Sequence, residues 1–95
     1  MYMRFLILVK VPTTAGNELM KDATGVKTIE DYLNQLKPEA VYFTELFGDR
    51  VFVLVADLPS PDVIPKVAEP MFKLGFRVEF HVAMKLEDLK KAFQA

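Results

Sequence analysis

The hydrophobic periodicity of this chain switches between a strand period and a helix period in a fixed order, which constrains the fold more than any other feature. Residues 3–11, 40–47, 50–58 and 77–84 have the alternating or continuous apolar patterns of β-strands. Residues 26–36 and 62–74 carry apolar side chains three and four positions apart, as helices do. The order is strand, helix, strand, strand, helix, strand, and residues 86–93 add a short amphipathic helix.

Proline, glycine and serine mark the predicted ends of these elements. Pro12 ends the first strand and Pro38 ends the first helix. Gly48-Asp49 is expected to form a two-residue type II′ turn between the two central strands. Ser60 is the predicted N-cap of the second long helix, which Pro65 and Pro70 should kink or divide into two pieces.

The order of elements predicts an α+β fold, namely a ferredoxin-like βαββαβ sandwich closed by a short C-terminal helix. Its four-stranded antiparallel sheet should have the order 4-1-3-2, with both long helices on one face. A chain of 95 residues is expected to form a single domain over residues 1–95. Residues 13–25 have a weak periodicity and contain Gly16 and Gly25, which predicts a loop or a short helical lid, and we expect a mobile flap over the mouth of a cavity there.

The two faces of the predicted sheet differ, and the difference predicts a homodimer. One side of the outer pair of strands is wholly apolar and should lie under the helices: Phe5, Ile7, Val9, Val11, Val78, Phe80, Val82 and Met84. The other side has Leu6 and Leu8 at its centre, and residues 51–56 are apolar on both sides, which is typical of a strand covered on both faces. We therefore expect two sheets to pack face to face, with a cavity between them for a small molecule.

Charge and composition exclude several partners and cofactors. A formal net charge of −1 argues against nucleic acid, and no apolar run is long enough to cross a membrane. The absence of cysteine removes disulfides and thiolate metal ligands, and it fits a cytoplasmic location. With a single histidine and no nucleotide-binding or metal-binding motif, neither a cofactor nor a metal is expected.

Glu79 and His81 are the candidate catalytic residues. They lie two positions apart on one strand and therefore share a face. A histidine near neutral pKa can act as a general base, and a neighbouring carboxylate stabilises its protonated form. The alternative is a structural network at the dimer interface, in which Arg4 or Lys10 pairs with Glu79 and His81 completes a chain of hydrogen bonds.

Arg4, Tyr42 and Thr44 are the candidate ligand-binding residues. Tyr42 and Thr44 should join Glu79 and His81 in lining the cavity, where their hydroxyl groups can orient a carbonyl or an enolate. Arg4 can bind a carboxylate or an enolate oxygen. The alternatives are a half-buried sheet tyrosine and an arginine at a strand end that pairs with Glu79 or with the partner chain.

Several segments resemble a family of small bacterial proteins in the dimeric α/β-barrel superfamily, which includes YCII-like proteins, muconolactone isomerases and small cofactor-free monooxygenases. The resemblance covers nearly the whole chain and rests on these segments: Lys37-Pro38-Glu39-Ala40, Tyr42-Phe43-Thr44, Ile64-Pro65, Ala68-Glu69-Pro70 with Phe72, Val78-Glu79, His81 with Met84, and Glu87-Asp88-Leu89.

The resemblance implies cofactor-free proton-transfer or oxygenase chemistry. In such an enzyme His81 would be the base, Glu79 would orient it, and Tyr42 or Arg4 would stabilise developing negative charge. A non-catalytic ligand-binding or interaction module, whose polar cluster only stabilises the dimer, is the alternative function.

Overall fold

The structure, a computed structural model, describes residues 3–94, so that both ends of the predicted domain (residues 1–2 and 95) lie outside it. The elements along the chain are β1 (Met3–Val11), α1 (Thr13–Leu19), α2 (Thr24–Leu36), β2 (Ala40–Leu46), β3 (Asp49–Leu58), α3 (Val63–Phe72), β4 (Arg77–Val82) and α4 (Leu86–Ala92). The predicted ferredoxin-like α+β class is confirmed, and α1 is a helix additional to the predicted order.

The four strands form one antiparallel sheet in the order β2-β3-β1-β4, which is the predicted order. The central strand β1 pairs with β3 on one side and with β4 on the other. Leu8, for example, lies opposite Val53 of β3 and Glu79 of β4. The register therefore aligns the residues of all four strands in rows across the sheet.

The hydrophobic core lies between one face of this sheet and the helices. Ile7 and Leu54 are fully buried in the sheet, and Met71 of α3 is 1% exposed above them. Ile29 and Tyr32 attach α2 to the same cluster. Burial of each such side chain contributes about 1.5–3 kcal/mol, so this one-sided core supplies most of the stability of the domain.

The predicted core face of β1 is confirmed, but that of the last strand is wrong at its end. Val82 is 54% exposed and Met84 is 66% exposed. Val82 pairs with Phe5 in the last row of the β1–β4 ladder, and β4 ends there rather than at Met84. These two side chains therefore lie beyond the helix-covered core.

Residues 13–25 form α1 and the start of α2, which confirms the helical alternative, but α1 does not lie over the sheet face where the cavity was predicted. Ala15 and Leu19 pack against the core, so α1 belongs to the helix layer. Gly16 is buried, and a Cβ there would lie 2.6 Å from the Arg50 guanidinium and 2.8 Å from Val11. The glycines permit close packing of α1 and do not flank a lid.

The hairpin turn is one residue earlier than predicted. Leu46 pairs with Asp49, so the two turn residues are Phe47 and Gly48, with φ of 54° and 84°. Positive φ at both positions is the requirement of a type I′ turn. The Gly48 N–H donates to Glu45 Oε2 at 3.0 Å and holds the turn. Because the register differs from the predicted one by two residues, every side chain keeps its predicted face.

The helix α3 begins at Val63, and Ser60 is not its N-cap. The Ser60 hydroxyl instead donates to the Asp62 carboxylate, and the Asp62 pKa lies below its ordinary value chiefly because of this hydrogen bond. Pro65 falls in the first turn, where its missing N–H has no intrahelical partner to lose. Pro70 is inside the helix, yet α3 is a single helix rather than two pieces.

The closing helix α4 has the predicted amphipathic pattern, but no residue of it is buried. Leu86, Leu89 and Phe93 are 60%, 45% and 82% exposed. The described chain is correspondingly elongated, with a radius of gyration of 15.0 Å, against about 12 Å for a compact chain of this length.

Replacement of Gly25 by alanine should destabilise the domain by about 3 kcal/mol, because a Cβ there would overlap the backbone carbonyl of Leu19. Urea unfolding of the variant measures this loss. The adjacent exposed change Val26→Ala should alter the unfolding free energy by no more than about 0.5 kcal/mol. Equal effects of the two changes would contradict the close approach at Gly25.

Replacement of Tyr32 by phenylalanine tests the contact between α2 and α3. The buried Tyr32 hydroxyl donates to the Val67 carbonyl at 2.8 Å, and burial raises the pKa of Tyr32 from 10.0 to about 12. Loss of the hydrogen bond should cost about 1 kcal/mol. Since the unfolded chain loses its phenol proton first, this advantage of the native protein over Tyr32→Phe should shrink as pH rises from 10.0 to about 12. A constant difference in unfolding free energy across that range would contradict burial of the phenol.

Candidate functional site

The sheet face opposite the helices, which we call the open face, carries all five predicted site residues: Arg4, Tyr42, Thr44, Glu79 and His81. Its members lie in rows across the four strands, in the order β2, β3, β1, β4: Thr44-Val51-Lys10-Arg77, Tyr42-Val53-Leu8-Glu79, and Ala40-Val55-Leu6-His81, followed by Asp57-Arg4 at the end of the β3–β1 pair. The predicted alternation of faces places each of these side chains here.

The centre of the open face is apolar. Leu6, Leu8, Val53 and Val55 occupy the two middle rows on the two middle strands, and each is half-buried by its neighbours. Charged residues flank this centre: Lys10 at one end and Arg4 with Asp57 at the other, while Glu79 and His81 occupy the β4 edge. The open face thus combines an apolar centre with a charged and polar border.

Lys10, Glu79 and His81 form a polar cluster at the β4 edge, in which Glu79 contacts both of the others. Its Oε1 lies 3.3 Å from His81 Nε2, and its Oε2 lies 3.4 Å from Lys10 Nζ. The Lys10 ammonium also lies 5.8 Å from the centroid of the Phe47 ring in the hairpin turn. The predicted pairing of Lys10 with Glu79 and the predicted contact of Glu79 with His81 are both present.

This geometry determines which histidine nitrogen is available for chemistry. A carboxylate only accepts hydrogen bonds, so Nε2 carries the proton when it contacts Glu79. In the neutral ring Nδ1 then holds the free lone pair and is the basic atom. The His81 side chain is 56% exposed, so a ligand on the open face can reach it.

The same contacts perturb Glu79 itself. The pKa of Glu79 is lowered from its ordinary value of 4.5, first by the hydrogen bond from His81 and then by that from Lys10. Glu79 is therefore ionised under all near-neutral conditions. Its carboxylate lies beside the His81 ring and can orient the imidazole through Nε2.

Arg4 is not part of this cluster, and its predicted pairing with Glu79 is wrong. Arg4 Nη2 donates to Glu39 Oε1 at 2.8 Å instead. Glu39 immediately precedes β2, and this ion pair with its hydrogen bond raises the Arg4 pKa above its ordinary value. Arg4 Nε is buried and has no hydrogen-bond partner among residues 3–94. Sequence reasoning missed Glu39 because only the sheet register brings its strand near Arg4.

Tyr42 and Thr44 share the open face with the polar cluster but lie at the opposite edge of the sheet. Tyr42 is in the same row as Glu79, with Val53 and Leu8 between them. Three strand spacings separate the two residues by about 14 Å. Tyr42 is 68% exposed, and the Thr44 hydroxyl donates to the Glu45 carbonyl at 3.4 Å. One chain therefore does not bring Tyr42 or Thr44 against His81.

The grooves of the described chain lie mostly in the helix layer. One of about 460 Å³ runs between α2 and β2 and is lined by Met20, Val26, Ile29, Glu30, Leu33, Asn34 and Phe43. Another of about 360 Å³ lies at the end of the sheet beside Arg4, Asp57 and Asp88. Within residues 3–94, no group of three or more His, Cys, Asp or Glu side chains is placed to hold a metal ion. In the same residues no helix is both long and apolar enough to span a bilayer.

Comparison with known proteins supports the fold and nothing further. Neither a family model nor a curated protein matches the chain. A crystal structure of an unknown protein from Galdieria sulphuraria is similar, with a TM-score of 0.56 and 15% sequence identity over 90% of this chain. A C-terminal segment of the alpha subunit of aIF2 from Pyrococcus abyssi has a TM-score of 0.37 and 20% identity over 90% of this chain. This chain spans about half the length of these structures, 47% and 51%. None of these comparisons supports the resemblance to the YCII-like group, which stays a prediction.

Replacement of His81 by alanine should raise the pKa of Glu79 toward 4.5, because it removes the largest cause of the lowered value. The side-chain carboxyl carbon of Glu79 reports this pKa directly in an NMR titration. Lys10→Met should shift it in the same direction, and Arg77→Met, on the same face in the next row, is the control that should leave it unchanged. An unchanged Glu79 pKa in His81→Ala would contradict the contact.

Proposed function

We propose that this chain acts in the cytoplasm as a homodimer whose open faces pack together, and that the space between them binds a small, largely apolar molecule with a carbonyl or phenol group. The observation that carries the proposal is the open face itself: an apolar centre of Leu6, Leu8, Val53 and Val55 beside an accessible histidine and carboxylate. The formal net charge of −1 does not favour nucleic acid as a partner. The lack of cysteine supports a reducing compartment.

The apolar centre supports the second copy as its cover. The helices already cover one face of the sheet. Because β3 is apolar on both of its sides, its other side needs a further layer. Two identical sheets can pack about 10 Å apart, with their inner side chains forming a shared interior. A cavity in such an interior has apolar walls and few polar groups, which suits a small carbonyl or phenol compound.

As an enzyme, this dimer would perform proton transfer without a cofactor. His81 Nδ1 would remove a proton next to the ligand carbonyl or from its phenol, and Glu79 would hold the ring through Nε2. A hydroxyl or guanidinium group, from Tyr42 or Arg4 of either subunit of the dimer, would stabilise the resulting enolate or phenolate oxygen. Isomerisation would be completed when the His81 imidazolium returns the proton to a different carbon of the enolate, and cofactor-free oxygenation would instead consume dioxygen.

A non-catalytic binding or interaction module is the second candidate. The supporting observation is that both carboxylate oxygens of Glu79 are engaged, one by His81 and one by Lys10, while Arg4 is engaged by Glu39. Polar groups that satisfy one another in this way are typical of a structural network. In this role the cluster fixes the relative position of two subunits.

Replacement of Leu8 by lysine should convert the protein to a folded monomer. Two copies of the new charge would meet at the centre of the interface and would be buried without a partner. Native mass spectrometry of the purified protein gives the subunit stoichiometry and any co-purified small molecule in one spectrum. Circular dichroism of the variant confirms that the fold is kept.

Phe72→Lys is the matched control, because Phe72 is an exposed apolar residue of α3 in the helix layer. This variant should remain a dimer. A native protein that is monomeric at micromolar concentrations, or a Leu8→Lys variant that remains dimeric, would overturn the proposal. A bound molecule in the native protein that is absent from Leu8→Lys would support the cavity and identify its chemical class.

A further inference from the structure

We infer that the helix side of the sheet carries a second ligand site, which binds an elongated apolar molecule that ends in a carboxylate. The site consists of two adjoining cavities between α2 and β2, of about 460 Å³ and about 190 Å³. Met20, Ile29 and Phe43 line both of them, and we call the pair the α2–β2 groove. The inference does not depend on the proposed homodimer, because the groove lies on the helix side and not between two open faces.

The walls of the α2–β2 groove are mainly apolar. Val26, Ile29 and Leu33 of α2 line the larger cavity, and their spacing of three and four residues places them on one face of the helix. Phe43 of β2 forms the opposite wall, with its ring centroid 5.5 Å from that of Phe52. Small-molecule sites are typically apolar clefts of about 300–1,000 Å³, so the larger cavity alone has sufficient volume for a ligand.

The exposed apolar side chains of this region gather around the groove. Met20, Val26 and Phe43 are 48%, 60% and 64% exposed, although each borders the cavities. Ile29 and Phe52, at 8% and 3% exposure, belong to the core beneath them. Single exposed apolar residues are ordinary on a protein surface, but several around one concavity mark a binding site. An apolar ligand in the groove would remove all three from water.

Arg50 supplies a positive charge in the smaller cavity. Its Nη2 donates to the Asn17 side-chain oxygen at 3.1 Å. Glu45 lies opposite Arg50 in the β2–β3 register, but its carboxylate accepts from the Gly48 N–H instead. Among residues 3–94 no carboxylate oxygen lies within 4.0 Å of the Arg50 guanidinium. A guanidinium has five N–H donors, so Arg50 can bind a ligand carboxylate while it keeps the contact with Asn17.

The charges of the groove also orient the ligand. Glu30 lines only the larger cavity, whereas Arg50 lines only the smaller one. A ligand carboxylate is repelled by Glu30 and attracted by Arg50, so the apolar part of the ligand should lie along α2. The seven residues from Val26 to Leu33 correspond to about 10 Å of helix. An amphipathic monocarboxylate with an apolar chain or ring system of this length, such as a fatty acid, fits the groove.

Binding of decanoate to the full-length protein tests the inference, with decan-1-ol as the uncharged ligand of the same chain length. Isothermal titration calorimetry measures both affinities, and NMR spectra of the methyl groups locate the bound molecule. Decanoate should bind about tenfold more tightly than decan-1-ol because of its charge-assisted hydrogen bond to Arg50. The methyl signals of Ile29 and Leu33 should shift, and those of Leu6 and Leu8 on the open face should not.

Four variants separate the charge from the apolar walls. Arg50→Gln should bind decanoate no better than decan-1-ol, whereas Arg50→Lys retains the charge and should retain a preference for decanoate. Arg77→Gln makes the same change of charge on the open face and should leave both affinities unchanged. Val26→Asp should weaken both ligands, because it places a carboxylate in the apolar wall. Position 26 is exposed in the first turn of α2, where a carboxylate is compatible with the helix, and thermal melting confirms that each variant is folded.

The outcomes distinguish this site from the proposed inter-sheet cavity. Methyl shifts confined to the open face would place the ligand in the inter-sheet cavity and overturn the inference. Equal affinities for the two ligands in the native protein, a preference for decanoate that persists in Arg50→Gln, or no binding of either ligand at millimolar concentration would also overturn it. Loss of dimerisation in Val26→Asp would identify a second copy as the occupant of the groove, with the same consequence. A monomeric native protein that binds decanoate beside Ile29 would remove the proposed homodimer and support the second site.

Discussion

The pairing of β1 with both of its neighbours is the constraint on which the rest of the structure depends. Ile7 and Val9 are fully buried on one side of β1, and Leu6 and Leu8 are half-buried on the other. Because side chains alternate along a strand, a slip of one residue would exchange these two sets between the core and the open face. The core register therefore also fixes which polar groups of β3 and β4 surround Leu6 and Leu8.

The period of the hydrophobic pattern predicted the face of each strand, and the order of elements with right-handed crossovers predicted the sheet order. The faces of β2 and β3 were predicted correctly even though the turn was placed at Gly48-Asp49, since a register error of two residues preserves the alternation. Phe47 as a turn residue with positive φ was not predictable from its type, because such a conformation is unusual for a bulky side chain. It follows from the pairing of Leu46 with Asp49 and from the Glu45 contact with Gly48.

Contacts between distant segments account for the other differences. Gly16 and Gly25 suggested flexibility by their type alone, but each is a point of close approach, against Arg50 and Leu19 respectively. The Arg4–Glu39 pair spans 35 positions of sequence, and no local pattern encodes it. For the candidate site, the shared face of Glu79 and His81 followed from their spacing, whereas the separation of Tyr42 from them required the strand order.

The strength of the electrostatic interactions in the Glu79 cluster depends on how much water surrounds it. In one chain Glu79 and His81 are 44% and 56% exposed at the side chain, so water screens their interaction and the contact contributes little to stability. A second sheet over the same residues would exclude much of that water and strengthen the attraction of Glu79 for both Lys10 and a protonated His81. Burial of a carboxylate is costly unless its oxygens are satisfied, and here each oxygen already has a partner. The cluster is thus arranged to tolerate being covered by a second layer.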